Sequence, residues 1–116
     1  MLHNLLMKVK WTNGRQEGGY KIFRLFQSKK FRFDSYLLYY PEGSEIPSHI
    51  DKVEQGKHYR INVELIKAKT GGKFLLEGKP KFKWWRVVYF CPSDQTHSVT
   101  KINKGYRLVF SIGWIK

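Results

Sequence analysis

Apolar and polar residues alternate with period two along most of this chain, and turn-forming residues interrupt the alternation about every ten residues. Met7, Val9 and Trp11 interleave with Lys8 and Lys10; Ile61, Val63 and Leu65 with Asn62 and Glu64; Tyr106, Leu108, Phe110 and Ile112 with Arg107, Val109, Ser111 and Gly113. Residues i and i+2 project to one side of an extended strand, so each run reads as a strand with one wet or special face. Tyr20–Phe26, Phe31–Tyr40, Lys73–Leu76, Lys83–Phe90 and Thr96–Lys101 are further strand candidates, rich in aromatic and β-branched residues. Asn13-Gly14, Gly18-Gly19, Pro41-Glu42-Gly43, Gly71-Gly72, Gly78-Lys79-Pro80, Pro92-Ser93-Asp94 and Asn103-Lys104-Gly105 punctuate them. No segment offers a long amphipathic helix; at most a helical turn forms near the N-terminus or around Val53–Gly56. The pattern predicts an all-β chain, an antiparallel β-sandwich or barrel.

A chain of 116 residues fits one domain. Hydrophobic residues at 41% and aromatics at 16% supply a core and exclude a disordered basic tail. Lys and Arg number 22 against 9 Asp and Glu, a net charge of +13, which draws polyanions of any kind to the surface. Residues 1–40 hold eight basic and two acidic side chains and the remainder fourteen and seven, so no separate basic arm exists. No apolar run approaches the roughly 18 residues of a membrane span, and no cleavable leader is expected. The single cysteine, Cys91, follows the apolar run Val87-Val88-Tyr89-Phe90 and reads as a small core residue. Without disulfide partners, a reduced, cytoplasmic compartment is expected.

His49 and Asp51 stand two apart and share one side of an extended segment, where both can ligate one metal ion. A His-x-Asp pair alone arises by chance in about one chain in ten of this composition. His97, on another candidate strand, is a third donor. Two imidazoles and a carboxylate leave open positions on one side of an ion, the arrangement of non-haem ferrous oxygenases. Ten residues further lies Arg107, on a strand face shared with Val109, Ser111 and Gly113. The small residues leave space there, and a guanidinium grips a carboxylate in bidentate fashion.

Taken in order, these residues resemble the ferrous, 2-oxoglutarate-dependent dioxygenases, and among them the prolyl-4-hydroxylase-like group. The chain reads Tyr40-Pro41-Glu42-Gly43, His49-Ile50-Asp51, Arg60-Ile61-Asn62-Val63, Gly71-Gly72-Lys73-Phe74, Val88-Tyr89-Phe90-Cys91-Pro92, His97-Ser98-Val99, Gly105-Tyr106-Arg107 and Gly113-Trp114. The match covers about residues 36–116. It implies a minimal double-stranded β-helix, the jelly roll or cupin-like β-sandwich with little helix, as one domain over residues 1–116. Residues 1–35 would be supporting strands and 36–116 the catalytic core. The resemblance implies His49, Asp51 and His97 as ligands of Fe(II), Arg107 as the partner of the distal carboxylate of 2-oxoglutarate, and Tyr40 as a hydroxyl that helps hold this co-substrate. Asn62 and Ser111, on the neighbouring strand faces, are further candidates to line its site. The implied reaction uses O₂ to hydroxylate a side chain of a protein or peptide, an acidic macromolecule given the charge, releasing succinate and CO₂, with ascorbate as reductant. No membrane partner is expected.

Two rival readings stand beside it. A non-catalytic basic β-sandwich would bind nucleic acid through its lysines and Trp84 or Trp85, and a cupin-type jelly roll would bind metal without 2-oxoglutarate. Adjacent on one strand, Trp84 and Trp85 point to opposite faces, so one is expected in the core and the other partly exposed. Gly71-Gly72 reads as a turn with positive φ rather than a phosphate cradle, and His58 as a residue at a strand start rather than a ligand.

Overall fold

A computed structural model describes residues 2–116 and, within its first helix, the side chains of Asn4 and Leu6–Lys8. Among the described residues, one helix, α1 (Leu2–Lys8), precedes twelve strands. These are β1 (Thr12–Asn13), β2 (Lys21–Ser28), β3 (Phe33–Tyr40), β4 (Ile46–His49), β5 (His58–Ile66), β6 (Thr70–Gly71), β7 (Phe74–Leu76), β8 (Phe82–Trp84), β9 (Val87–Phe90), β10 (His97–Val99), β11 (Ile102–Lys104) and β12 (Arg107–Ile115). A seven-stranded sheet runs β1-β2-β3-β12-β5-β9-β8, and smaller sheets run β4-β10-β7 and β11-β6. Every strand ladder is antiparallel. The alternation predicted the antiparallel all-β chain, and the arrangement is the jelly roll that the resemblance implied.

The long strand β12 is central, laddered to β3 from Arg107↔Tyr40 to Trp114↔Phe33 and to β5 from Leu108↔Ile66 to Ile115↔His58. Its series Arg107, Val109, Ser111, Gly113 is buried throughout. Inside the roll, Val109 meets Tyr20, Ile22, Leu38, Tyr40, Val99 and Ile102 in the main apolar cluster. On β5 the buried members are Arg60 and Asn62, whereas Leu65 is exposed. The special face of that strand is therefore its polar face, turned inward to line a site.

Two local departures from the alternation have physical causes. Met7 lies in the last turn of α1 instead of opening a strand, because Leu6 is buried with Tyr39 and Leu108 on the outer face of the large sheet. Trp11 packs on Tyr39 at 5.4 Å and donates its indole N–H to Leu6 O at 2.6 Å. The Lys83–Phe90 run is a hairpin, β8 and β9, because Trp85 adopts φ 51°. Trp84 and Trp85 are consequently both exposed, at 63% and 74%, not divided between core and surface. Residues 54–56 form a bend, and no helix forms around Val53–Gly56. Gly71 and Gly72 do take positive φ, 77° and 65°; a Cβ on Gly71 would collide with the carbonyl of Lys101, the strand neighbour that accepts from Gly72 N–H. Cys91 is buried, as expected. No helix of the described residues is long and apolar enough to cross a membrane.

Candidate metal centre

The register of the small sheet sets His97 of β10 directly opposite His49, the last residue of β4. Paired residues of an antiparallel ladder share a face, and the two imidazole centroids lie 4.3 Å apart. Two residues beyond His49 the chain is pinned by Asp51 N–H donating to Pro92 O at 2.9 Å, which brings the Asp51 carboxylate beside both rings. His49 Nε2 lies 3.2 Å from Oδ1 and His97 Nε2 lies 3.6 Å from Oδ2. One ligand atom from each of the three residues falls within 4.8 Å of the others.

The backbone settles which ring nitrogen is offered. His49 Nδ1 lies 2.8 Å from Pro47 O and His97 Nδ1 lies 2.9 Å from Gln95 O. A carbonyl can only accept, so each Nδ1 carries its proton and each Nε2 faces Asp51. Acceptor nitrogens against a carboxylate need a cation between them, a proton or a metal ion. Neighbouring ligands about 2.1 Å from a divalent ion lie about 3 Å apart; the His49–Asp51 separation of 3.2 Å is close to this and the His97–Asp51 separation of 3.6 Å is longer. The donor set therefore fits a divalent transition metal such as Fe(II). Burial raises the Asp51 pKa, but hydrogen bonding and electrostatic interaction with the neighbouring imidazoles, His97 first, outweigh it and hold the carboxyl below its usual range.

The triad opens on a cavity of about 70 Å³ that Tyr40, Asn62 and Ser111 also line. Ser111 is fully buried and donates its hydroxyl to Asn62 Oδ1 at 2.5 Å. Tyr40 stacks on Tyr20 at 5.7 Å, and burial, opposed by Arg107, pushes its phenol far up, so it stays a neutral donor. Phe90 and Phe74 flank His97, with ring centroids 5.3 and 6.2 Å away.

Arg107 already has partners. It is 4% exposed, its Nε donates to Glu64 Oε2 at 2.7 Å, and its guanidinium sits 4.8 Å from the ring centroid of Tyr40. It lies further along the interior face of β12 that carries Val109 and Ser111, beside the cavity-lining Tyr40, and borders a groove that Glu64 and Phe74 also line. The buried arginine of the cavity is Arg60, which the sequence reading quoted only as part of a strand, while the exposed Arg15 lines its rim. Its Nη1 donates to Ser111 Oγ at 2.7 Å, its Nη2 is paired with Asp34, and it lies 4.5 Å from the ring centroid of Tyr36. The room left by Gly113 is filled by this guanidinium, which a Cβ there would overlap. His58 neighbours Arg60, with Nε2 3.4 Å from its Nε, and is not part of the metal cluster. The signal for Arg60 and Glu64 was present: His58, Arg60, Asn62 and Glu64 are one polar i, i+2 series on a central strand, where a polar face implies a lined interior.

The sequence matches no protein-family model and no curated protein. Among solved structures, the chain is similar to a prolyl-4-hydroxylase from Pseudomonas putida, with TM-score 0.72 and 14% identity over 98% of this chain and 81% of that one. It is also similar to the Cnp3 cupin domain of Schizosaccharomyces pombe, with TM-score 0.63 and 18% identity over 96% and 72%. A third neighbour is a viral collagen prolyl hydroxylase from Paramecium Bursaria Chlorella virus-1, solved as a 2OG complex, with TM-score 0.60 and 14% identity over 86% and 80%. At these identities the likeness establishes the fold, and this chain is a cupin-like jelly roll.

Proposed function

We propose that this protein is an Fe(II)- and 2-oxoglutarate-dependent dioxygenase that hydroxylates a side chain of a protein or peptide. The observation that carries the reading is the convergence of His49, Asp51 and His97, from three separated parts of the chain, with both Nε2 atoms aimed at one carboxylate. The two prolyl hydroxylase neighbours, one of them in complex with 2OG, support the co-substrate and the peptide class of substrate.

In this reading His49, Asp51 and His97 hold the metal, and their Nδ1–carbonyl bonds keep the rings from turning. Bound iron supplies the redox chemistry by which O₂, 2-oxoglutarate and a C–H bond become succinate, CO₂ and a C–OH, one oxygen atom going to succinate and the other to the hydroxyl. Arg107 secures the distal carboxylate of 2-oxoglutarate, and Tyr40 donates from its neutral hydroxyl. Asn62 and Ser111 present a fixed polar wall, and Phe74 and Phe90 keep water from the His97 side.

The test is succinate release with Fe(II), 2-oxoglutarate and ascorbate across a panel of peptides, nucleic acids and free amino acids. Release stimulated by a peptide and abolished in His97→Ala supports the reading, and none with any member opposes it. A second reading, a metal-binding jelly roll that does not use 2-oxoglutarate, draws on the Glu64 carboxylate already seated on Arg107. It requires that 2-oxoglutarate leave the iron-loaded protein spectroscopically unchanged.

A further inference from the structure

A groove of about 510 Å³ opens between β7, an edge of the small sheet, and the β8–β9 hairpin at the edge of the large one. Phe74, Val87 and Val88 give it an apolar lining, and Lys67, Lys73, Lys83 and Arg86 surround it with positive charge. Its one acidic lining residue, Glu64, is already paired with Arg107, so the remaining cations have no carboxylate partner within the groove. At the hairpin tip the chain places two indoles in water side by side, Trp85 at 74% and Trp84 at 63% exposure, with centroids 6.2 Å apart.

Exposing two tryptophans forgoes several kcal/mol of burial, and Trp85 does so from a left-handed backbone conformation, φ 51°, that a bulky residue seldom adopts. Backbone strain that presents a side chain to solvent is characteristic of binding sites. Arg86 lies 5.0 Å from the Trp85 ring centroid, which orients one indole and leaves a cation beside it.

We propose that this groove and hairpin tip bind single-stranded nucleic acid, with unpaired bases stacked on Trp84 and Trp85 and phosphates held by Lys67, Lys73, Lys83 and Arg86. The pairing of flat aromatic faces with a track of cations selects this ligand. A base offers a π-face to each indole and its phosphate a charge to the adjoining lysine. An acidic peptide would satisfy the lysines and leave the indoles without a partner. A duplex keeps its bases stacked on one another, out of reach of the tip.

The experiment measures anisotropy of a labelled oligothymidylate of about 12 nucleotides with the full chain, from about 50 to about 300 mM salt. Binding should weaken with a log–log slope of about −2 to −3, three or four phosphates at about 0.7 each. Trp85→Ala should weaken binding about tenfold with the slope unchanged, since a stacked base contributes roughly 1–3 kcal/mol. Lys83→Gln and Arg86→Gln should each lower the slope by about 0.7. All three are surface changes, and circular dichroism checks that the variants remain folded. His49→Ala should bind as the unaltered chain does. The proposal is overturned by absence of binding at low salt, or by binding that neither Trp84→Ala nor Trp85→Ala reduces, which is adhesion to a polycation. Equal binding of duplex, equally effective competition by polyglutamate, or loss of binding in His49→Ala would overturn it as well.

Discussion

Glu64 Oε2 lies 2.7 Å from Nε of Arg107 on adjacent interior strands, so the guanidinium that the family resemblance assigns to a co-substrate carboxylate already holds one. Both side chains are largely withdrawn from water, Arg107 at 5% and Glu64 at 20% exposure, where a charge-assisted bond is worth more than at the surface. A dicarboxylate approaching Arg107 must share it with Glu64 or displace it. Glu64→Gln keeps the shape and an acceptor oxygen but removes the competing charge. It is expected to tighten 2-oxoglutarate binding to the Fe(II) protein about tenfold, a change of about 1.4 kcal/mol, and Arg107→Ala to weaken it. Anaerobic titration checks both, and a Glu64→Gln affinity equal to or below that of the unaltered chain contradicts the competition.

Gly113 and Arg60 form a second dependent pair. A Cβ at position 113 overlaps the Arg60 guanidinium, which is buried and tied to Ser111 and Asp34. Displacing it strands a charge in the interior, so Gly113→Ala should cost about 3 kcal/mol, the range for breaking a buried pair. With Arg60→Ala in the same chain the overlap disappears, and the double variant should be more stable than the sum of the single losses implies. Urea melts of the four-member cycle measure the coupling. Strict additivity would mean that the guanidinium does not occupy that space.

The folded state holds the His58 pKa down to about 4, through burial first and the Arg60 charge second, against an unfolded value near 6.5. Between those values the unfolded chain binds the extra proton and the folded chain does not. Stability from this residue is therefore complete above about pH 6.5 and is lost as pH falls toward 4. The loss should be roughly 2 kcal/mol, discounted for the part of the ring that meets solvent. Thermal melts across this window should show the decline, flattened in His58→Gln. An equally steep decline in that variant would place the titration in another group.

Leu6 tests the packing of α1. It is buried against Tyr39 and Leu108, and a large-to-small change in such a contact costs about 2–4 kcal/mol. Leu6→Ala should lower the melting temperature while metal binding by the triad, on the opposite side of the large sheet, stays intact. Loss of metal binding at unchanged stability would contradict this division.

How much of this was legible in the sequence follows from what each strand faces. Long strands with a regular apolar beat, β5 and β12, are read directly, and the His-x-Asp pair with a distant His anticipates the three side chains that converge. β4 was invisible because Pro47 and Ser48 break its pattern, which a strand at a sheet edge tolerates. The hairpin at Trp85 depends on one backbone angle that no side-chain pattern encodes. Arg107 was read alone, as a free grip on a ligand. Its tie to Glu64 spans 43 residues and becomes visible only when the strand register is known. Arg60 was overlooked because a buried arginine is rare without partners, and its partners, Asp34 and Ser111, are equally remote in sequence.

The central claim is that His49, Asp51 and His97 hold one iron ion to which 2-oxoglutarate binds. Its most direct test is an anaerobic titration of the Fe(II)-loaded protein with 2-oxoglutarate, followed by visible absorption, with iron content determined on the same samples. The account predicts one iron per chain and a weak charge-transfer band that saturates with 2-oxoglutarate, both lost in His97→Ala. Iron that remains bound in His97→Ala, or an iron-loaded protein whose spectrum 2-oxoglutarate does not change, would contradict it.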